Sequence, residues 1–273
     1  MSRRPAVAGT FYPADPQQLQ ELIQKQMLKA DVGALSECKA YVAPHAGYQF
    51  SGQVAANTYS AMQQAYAKKN FETIVIIGPN HTGYGRPIAV SLEDWQTPLG
   101  TVANDRELSE AIAGMPDMYA DEIAHAFEHS IEVQLPFIQK SGIDAKCVFI
   151  CMGDQSYEAC IALTNAIIMA AKNRKRKITI LASSDFNHYE AATVAKKKDA
   201  PAIDAALQLD AEKFHELIRK SGDSACGYGP VTVATMFARR SGAKSGMLLK
   251  YATSGDVTND YDSVVAYASI VFA

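Results

Sequence analysis

Several side chains that can bind metal or move protons stand directly after runs of strand-forming residues. His45 follows Tyr41-Val42-Ala43-Pro44, and His81 follows Ile74-Val75-Ile76-Ile77 through Gly78-Pro79-Asn80. Asp185 and His188 follow Ile178 to Ala182 through Ser183-Ser184, and a fourth run, Cys147 to Met152, ends in Gly153-Asp154. Imidazole titrates near neutrality and is the commonest metal ligand; a single histidine after a strand is more often a hydrogen-bonded structural residue, but three at strand ends point to ligation or proton transfer. In open α/β sheets ligands bind outside the carboxyl ends of the strands. Four polar strand ends on parallel neighbouring strands therefore converge on one crevice.

The cysteines divide by context. Cys147, Cys151 and Cys160 lie inside apolar strand or helix patterns, where cysteine behaves as a small hydrophobe. Cys226 instead lies in Ser224-Ala225-Cys226-Gly227-Tyr228-Gly229-Pro230, a Gly-rich loop that opens a helix. A helix N-terminus favours thiolate over thiol, which makes Cys226 the ligand or nucleophile candidate among the five cysteines. The segment His125-Ala126-Phe127-Glu128-His129 has the H-x-x-E-H spacing of inverted zinc proteases. That site needs a further ligand on a helical domain, so the segment is read instead as a loop entering a helix. Ser130 or His129 then stands near the helix start with Glu132 in its first turn, and His129 can face the same crevice.

The elements that must position these groups are legible as alternating patterns. Strands are expected at Tyr41-Val42-Ala43, Thr73 to Ile77, Pro87 to Ser91, Ala145 to Cys151, Lys177 to Ala182, Met247 to Ala252 and Val264 to Val271. Most are near-continuous apolar runs, as in strands buried on both faces. Helices are expected at Asp15 to Lys29, Gly52 to Lys68, Asp105 to Ala113, Ile131 to Lys140, Tyr157 to Lys172, Ala191 to Leu209, Ala211 to Lys220 and Val231 to Arg240. Asp15 and Pro16 suit the N-cap and first position of the first helix, and Ser221-Gly222 ends another. Trp95 with Pro98-Leu99-Gly100 reads as a packed hairpin or loop. The alternation implies βαβ units and a largely parallel or mixed sheet between helical layers, and no Pro/Gly/Ser-rich linker divides the 273 residues into more than one domain.

Composition bounds the function. The chain is 48% hydrophobic and 20% charged, which excludes disorder. Lys+Arg 26 against Asp+Glu 29 leaves a net charge of -3, so no basic field exists to hold nucleic acid. The longest apolar runs fall far short of the ~20 residues a membrane helix needs. Ser2-Arg3-Arg4 is not followed by a secretory apolar region, and five cysteines without paired spacing suit reduced thiols. The expectation is a cytoplasmic protein that binds neither membrane nor nucleic acid.

The motifs resemble, in order, those of the Memo-like family. They are Pro5 to Pro13, Ala43-Pro44-His45-Ala46-Gly47-Tyr48 with Ser51-Gly52, Gly78-Pro79-Asn80-His81, Glu128 to Glu132 with Leu135-Pro136, Ser183 to His188, and Ala225-Cys226-Gly227. The family includes eukaryotic mediators of receptor-driven cell motility and protein B of the prokaryotic AmmeMemoRadiSam system. The resemblance implies the three-layer α/β sandwich of class III extradiol dioxygenases, which hold Fe(II) with two strand-end histidines and a late glutamate. The residues similar to those ligands are His45, His81 and, in the glutamate's place, Cys226. A thiolate there is softer and oxidisable, and a His₂Cys set suits Fe(II), Cu or Zn. His129 and His188 resemble the acid/base and oxygen-contacting residues, and Asp185 is placed to ligate or to orient an imidazole. Tyr48, Asn80, Glu128 and Glu132, within the same motifs, are expected to line the pocket or to stand behind its ligands.

Three readings follow from the resemblance. The first is an iron or copper redox protein, a non-haem oxidoreductase acting on an unidentified substrate. The second is a non-catalytic module in which the same pocket captures phosphotyrosine or another anionic peptide group. The third is a zinc hydrolase with His188 as base. The prokaryotic system's name further implies a functional link to radical-SAM and AMMECR-type proteins.

Overall fold

A computed structural model describes residues 2–35 and 37–273. Its strands are β1 (Ser2–Arg3), β2 (Ala40–Ala43), β3 (Thr73–Pro79), β4 (Ile88–Ser91), β5 (Asp94–Thr97), β6 (Gly100–Val102), β7 (Tyr119–Ala120), β8 (Lys146–Met152), β9 (Ile178–Ser183), β10 (His188–Glu190), β11 (Gly246–Thr253) and β12 (Val264–Phe272). Its α-helices are α1 (Pro16–Met27), α2 (Tyr48–Ala67), α3 (Arg106–Ala113), α4 (Leu135–Lys140), α5 (Tyr157–Arg174), α6 (Ala192–Leu207), α7 (Ala211–Ser221), α8 (Tyr228–Arg240) and α9 (Gly255–Thr258).

Nine strands form one mixed sheet in the order β10-β12-β2-β9-β3-β8-β4-β7, with β11 also paired to β12. The centre, β2-β9-β3-β8, is parallel throughout, while β12 against β2 and β4 against β8 are antiparallel. A smaller sheet joins β1, β5 and β6.

Alternation along the buried strands separates two cores, because successive side chains point to opposite faces of a sheet. On β3, Val75 and Ile77 pack into one cluster with Leu108 of α3, Leu163 of α5, Phe214 of α7 and Val233 of α8. Ile74 and Ile76 pack into the other, with Ile23 of α1, Tyr59 and Met62 of α2 and Phe137 of α4. Each fully buried aliphatic side chain contributes about 1.5–3 kcal/mol. Helices on both faces of a mixed sheet make a three-layer α/β sandwich.

Most expected elements are present, with local shifts that have physical causes. Asp15 caps α1 by accepting from the Gln18 N–H, with Pro16 in the first turn. Gly222 ends α7 in the left-handed conformation at φ 63°. α2 starts at Tyr48, four residues before the expected Gly52, because the first turn carries buried side chains rather than a capping residue. The expected helix from Ile131 begins as a 3-10 turn, Glu132–Gln134, and becomes α-helical only at Leu135, with Pro136 in the first α turn. Trp95 and its neighbours form the β5–β6 hairpin, with the indole fully buried.

Candidate metal centre

The parallel order β2-β9-β3 brings three carboxyl ends side by side. His45 stands two residues beyond β2, His81 two residues beyond β3, and Asp185 two residues beyond β9. The connection between β7 and α4 crosses the same edge and delivers His129. It approaches β3 so closely at Gly78 that a Cβ there would collide with the Ser130 hydroxyl. His45, His81 and His129 each offer one ring nitrogen, and these atoms lie within 4.8 Å of one another. Two nitrogens bound to one ion at about 2.0–2.1 Å are at most ~4.2 Å apart, so small side-chain adjustments close the set. The rings of His81 and His129 stack at 4.6 Å, and His45 meets both edge-on at 5.2 and 5.5 Å.

Glu128 organises two of the three imidazoles. One carboxylate oxygen accepts from the His81 backbone N–H at 2.5 Å. The other accepts from the N–H groups of His129 and Ser130 and lies 3.0 Å from His81 Nδ1 and 3.4 Å from His129 Nδ1. Burial alone would raise this carboxyl, but the hydrogen bond and charge of His81, together with the Ser130 N–H, outweigh it and hold the group near 2. Glu128 is therefore anionic, and an anion against Nδ1 selects the tautomer whose Nε2 lone pair is free. Burial holds the His45 and His129 imidazoles below their ordinary range, well below for His45, with His81 repelling both. Neutral imidazole is the form that ligates.

Cys226 reaches the site from the loop before α8. Its Sγ lies 3.1 Å from His45 Nε2 and accepts from the Asp185 N–H at 3.3 Å. Gly227 allows this approach, since a Cβ there would overlap the Ser183 carbonyl. The thiolate expected from the helix terminus is not what the environment favours: burial, and then the Asp185 carboxylate, push the thiol well above its ordinary range. Without a cation beside it, Cys226 is a thiol within reach of His45 Nε2 at 3.1 Å and of the Asp185 carbonyl at 3.6 Å.

Asp185 and His188 both line the same cleft, which measures about 600 Å³ and is walled by Phe11, Phe50, Val265 and Tyr267. Asp185 Oδ1 accepts from the His45 backbone N–H at 2.8 Å. Burial lifts its carboxyl to about 7 against the opposing N–H groups of His45 and Ala46. It does not set the His188 tautomer; His188 Nδ1 lies 3.1 Å from the Ser224 carbonyl, which can only accept, so Nε2 is left free. Burial holds the His188 imidazole below its ordinary range.

Other expected site residues do different work. Asp154 is absent from the cleft wall, because Oδ1 accepts from the Ser156 N–H at the start of α5. Asn80 shapes the loop carrying His81, accepting from Thr82 and Gly83. Tyr48 is buried against Tyr12 and Phe137 and donates to the Val133 carbonyl. Glu132 binds Arg3, the N–H groups of Ala6 and Val7, and the Tyr12 hydroxyl, which ties the N-terminal segment down rather than facing the cleft. His125 is fully buried edge-on to Trp95, outside the histidine group, and burial lowers it to about 4. Residues without an assigned role at the sequence level also matter: Phe11 packs on His129 at 4.6 Å, and Ser183 lies 2.8 Å from His45 Nδ1.

With this geometry in view, comparison with known proteins is decisive. The model of the Memo-like protein family matches residues 3–271. The chain belongs to the Memo-like family. Among its relatives, MEMO1 family proteins of Methanosarcina mazei and Archaeoglobus fulgidus are 42% and 43% identical to it, over 98% and 99% of both chains. A MEMO1 family protein of Methanococcoides burtonii is 42% identical over 98% of this chain and 99% of its own. The matched span of the Memo-like model includes every residue of the histidine group, Cys226, Asp185 and His188. No helix among the described residues is long and apolar enough to cross a membrane.

The donor set fits a transition metal. Three imidazoles with a thiol alongside suit Fe, Cu or Zn and are a poor match for Mg²⁺ or Ca²⁺, which demand oxygen ligands.

Proposed function

We propose that this Memo-like chain is a metal-dependent redox protein that holds one iron or copper ion with His45, His81 and His129, with Cys226 as an additional donor beside His45. The observation that carries this reading is the convergence of three imidazole nitrogens at the carboxyl edge of a parallel sheet, two of them backed by a buried anionic glutamate. When bound, the ion would supply one-electron chemistry toward O₂ or a reactive oxygen species. The chain's own residues do the rest. The cleft walls, with Phe11 and Phe50 among them, give the histidine edge an apolar flank. His188, with Nδ1 tied to Ser224, presents Nε2 to the cleft as a proton carrier. Asp185, fixed to the His45 backbone N–H at 2.8 Å, stands on the same cleft wall as His188 and can take part in proton transfer with it.

Cys226 is a soft donor that iron, copper and zinc all accept, so the identity of the bound metal separates redox chemistry from zinc hydrolysis. Among the described residues the cleft wall includes no Lys or Arg, so bidentate capture of a phosphotyrosine phosphate finds no guanidinium there. Anaerobic purification followed by elemental analysis and electron paramagnetic resonance tests the proposal. Stoichiometric iron or copper with a paramagnetic signal is the expected result; zinc alone would favour the hydrolase, and a chain that retains no transition metal would favour the binding module.

A further inference from the structure

Ser183 and Gln134 lie behind His45, buried and outside the cleft, and the shortest of their hydrogen bonds point to one assignment of protons over the alternative that uses the longer contacts of Gln134 to the Ser130 carbonyl, 3.5 Å, and of Cys226 to the Asp185 carbonyl, 3.6 Å. The Gln134 amide is oriented by Pro44: its Nε2 lies 3.1 Å from the Pro44 carbonyl, which can only accept, so the nitrogen and not the oxygen must face it. The opposite end, Oε1, accepts from the Tyr59 hydroxyl. Gln134 Nε2 then donates its second proton to Ser183 Oγ at 2.7 Å. Ser183 has one hydroxyl proton, and it goes to the Ser130 carbonyl at 2.6 Å, again an atom that only accepts. Both Ser183 lone pairs are left to accept, one from Gln134 and the other from His45 Nδ1 at 2.8 Å.

We infer that Ser183, held by Gln134, Ser130 and Tyr59, locks His45 as the Nδ1–H tautomer and so keeps the Nε2 lone pair aimed at the centre; Ser183 and Gln134 are positioning residues. The opposite face of the ring agrees. Nε2 lies 3.1 Å from the Cys226 sulfur, whose proton it accepts when no ion is present. His45 thus receives from a neutral hydroxyl network the same orientation that His81 receives from the Glu128 carboxylate. The difference is chemical. A carboxylate makes its imidazole more electron-donating, whereas a hydroxyl that already accepts from an amide leaves His45 the weakest donor of the three.

This inference rests on the metal-centre reading for its purpose, but the tautomer can be measured without any ion. Two-bond ¹⁵N–¹H correlation spectra of the metal-free chain, at a pH where the imidazoles are neutral, distinguish the tautomers, and His45→Gln identifies the His45 signals. The expected spectrum shows His45 protonated at Nδ1 only. Protonation at Nε2, or a mixture, overturns the inference whatever the chain does with metal. The wild-type spectrum decides this even if a variant fails to fold. Ser183→Ala should release the tautomer toward a mixture and lower zinc affinity by about 10- to 100-fold, and Ser183→Thr, which keeps the hydroxyl, should restore both. A Ser183→Ala protein that folds and keeps a pure Nδ1–H tautomer would remove the role from Ser183. A wild-type chain with the expected tautomer but no zinc affinity would instead fail the metal proposal alone.

Discussion

Cys226 Sγ stands 3.1 Å from His45 Nε2, the atom that His45 would offer to an ion, and the same sulfur accepts from the Asp185 N–H. The thiol and the imidazole therefore compete for, or share, one position. In the metal-free chain they satisfy each other. When a cation takes the Nε2 lone pair, the thiol loses its nearer acceptor, and the positive charge beside it lowers its high pKa, which couples ion binding to loss of a proton from sulfur.

Cys226→Ala tests this relationship. Zinc or Fe(II) affinity is expected to fall by ~10-fold or more, with binding still supported by the histidines, while the thermal midpoint stays close to wild type because the Cys226 side chain belongs to neither core cluster. Calorimetric titration checks the first and a melting curve the second. Unchanged affinity would leave Cys226 as a turn residue.

Glu128→Gln keeps the shape but removes the anion behind His81 and His129. Metal affinity is expected to drop by about 10- to 100-fold, the usual effect of removing a ligand's hydrogen-bonding partner. The measurement is the same titration, run beside Glu132→Gln. Glu132 makes no contact with the histidine rings, so its variant should retain affinity; equal losses in the two would contradict the separate roles assigned to these carboxylates.

The partner of that assignment is stability. Arg3 is buried, donating to Glu132 at 2.7 Å and to the carbonyls of His125 and Glu128, and lies over the Trp95 ring at 4.1 Å. Arg3→Ala would leave the buried Glu132 carboxylate without its counter-charge, held only by the Ala6 and Val7 N–H groups and the Tyr12 hydroxyl, and breaking a buried pair in this way costs about 3–5 kcal/mol. Urea denaturation should show a correspondingly lower midpoint, and a wild-type midpoint would refute the account.

How far the site is legible in the sequence follows from what each residue leans on. His45, His81 and Asp185 are legible because β-branched runs end just before them and the parallel order of β2, β9 and β3 brings those ends together. His129 is legible only as a residue that can face the crevice, because the loop carrying it is placed by Glu128 and by the contact at Gly78, not by any periodic pattern. Ser183 and Gln134 leave no signal: their roles depend on carbonyls 53 and 90 residues away, those of Ser130 and Pro44. Asp154 misleads for a simpler reason, since a helix start takes its carboxylate. The short strands β1, β7 and β10 are missed because two or three residues carry no alternation.

Asp199 gives a pH prediction away from the histidines. It is fully buried on α6, accepts from the Asn187 N–H and the Tyr251 hydroxyl, and faces Asp223, with the Lys198–Glu190 ion pair nearby. Burial, and then the Asp223 charge, lift its carboxyl to about 8. A carboxyl raised above its unfolded value of about 3.9 favours folding fully below that pH, and the contribution is lost as pH rises toward 8. Stability should therefore decline across this window, and Asp199→Asn, which cannot ionise, should flatten the decline. Thermal melts from acid to mildly alkaline pH check it; an unchanged slope in the variant would show that Asp199 is not the group responsible.

The central claim is that His45, His81 and His129 bind a single ion, and the most direct test is titration of the metal-free chain with Fe(II) under anaerobic conditions, beside His45→Ala, His81→Ala and His129→Ala. The account predicts one equivalent bound by the wild type and a loss of binding in each of the three variants. A wild type that binds no iron, or variants that bind it as the wild type does, would contradict it.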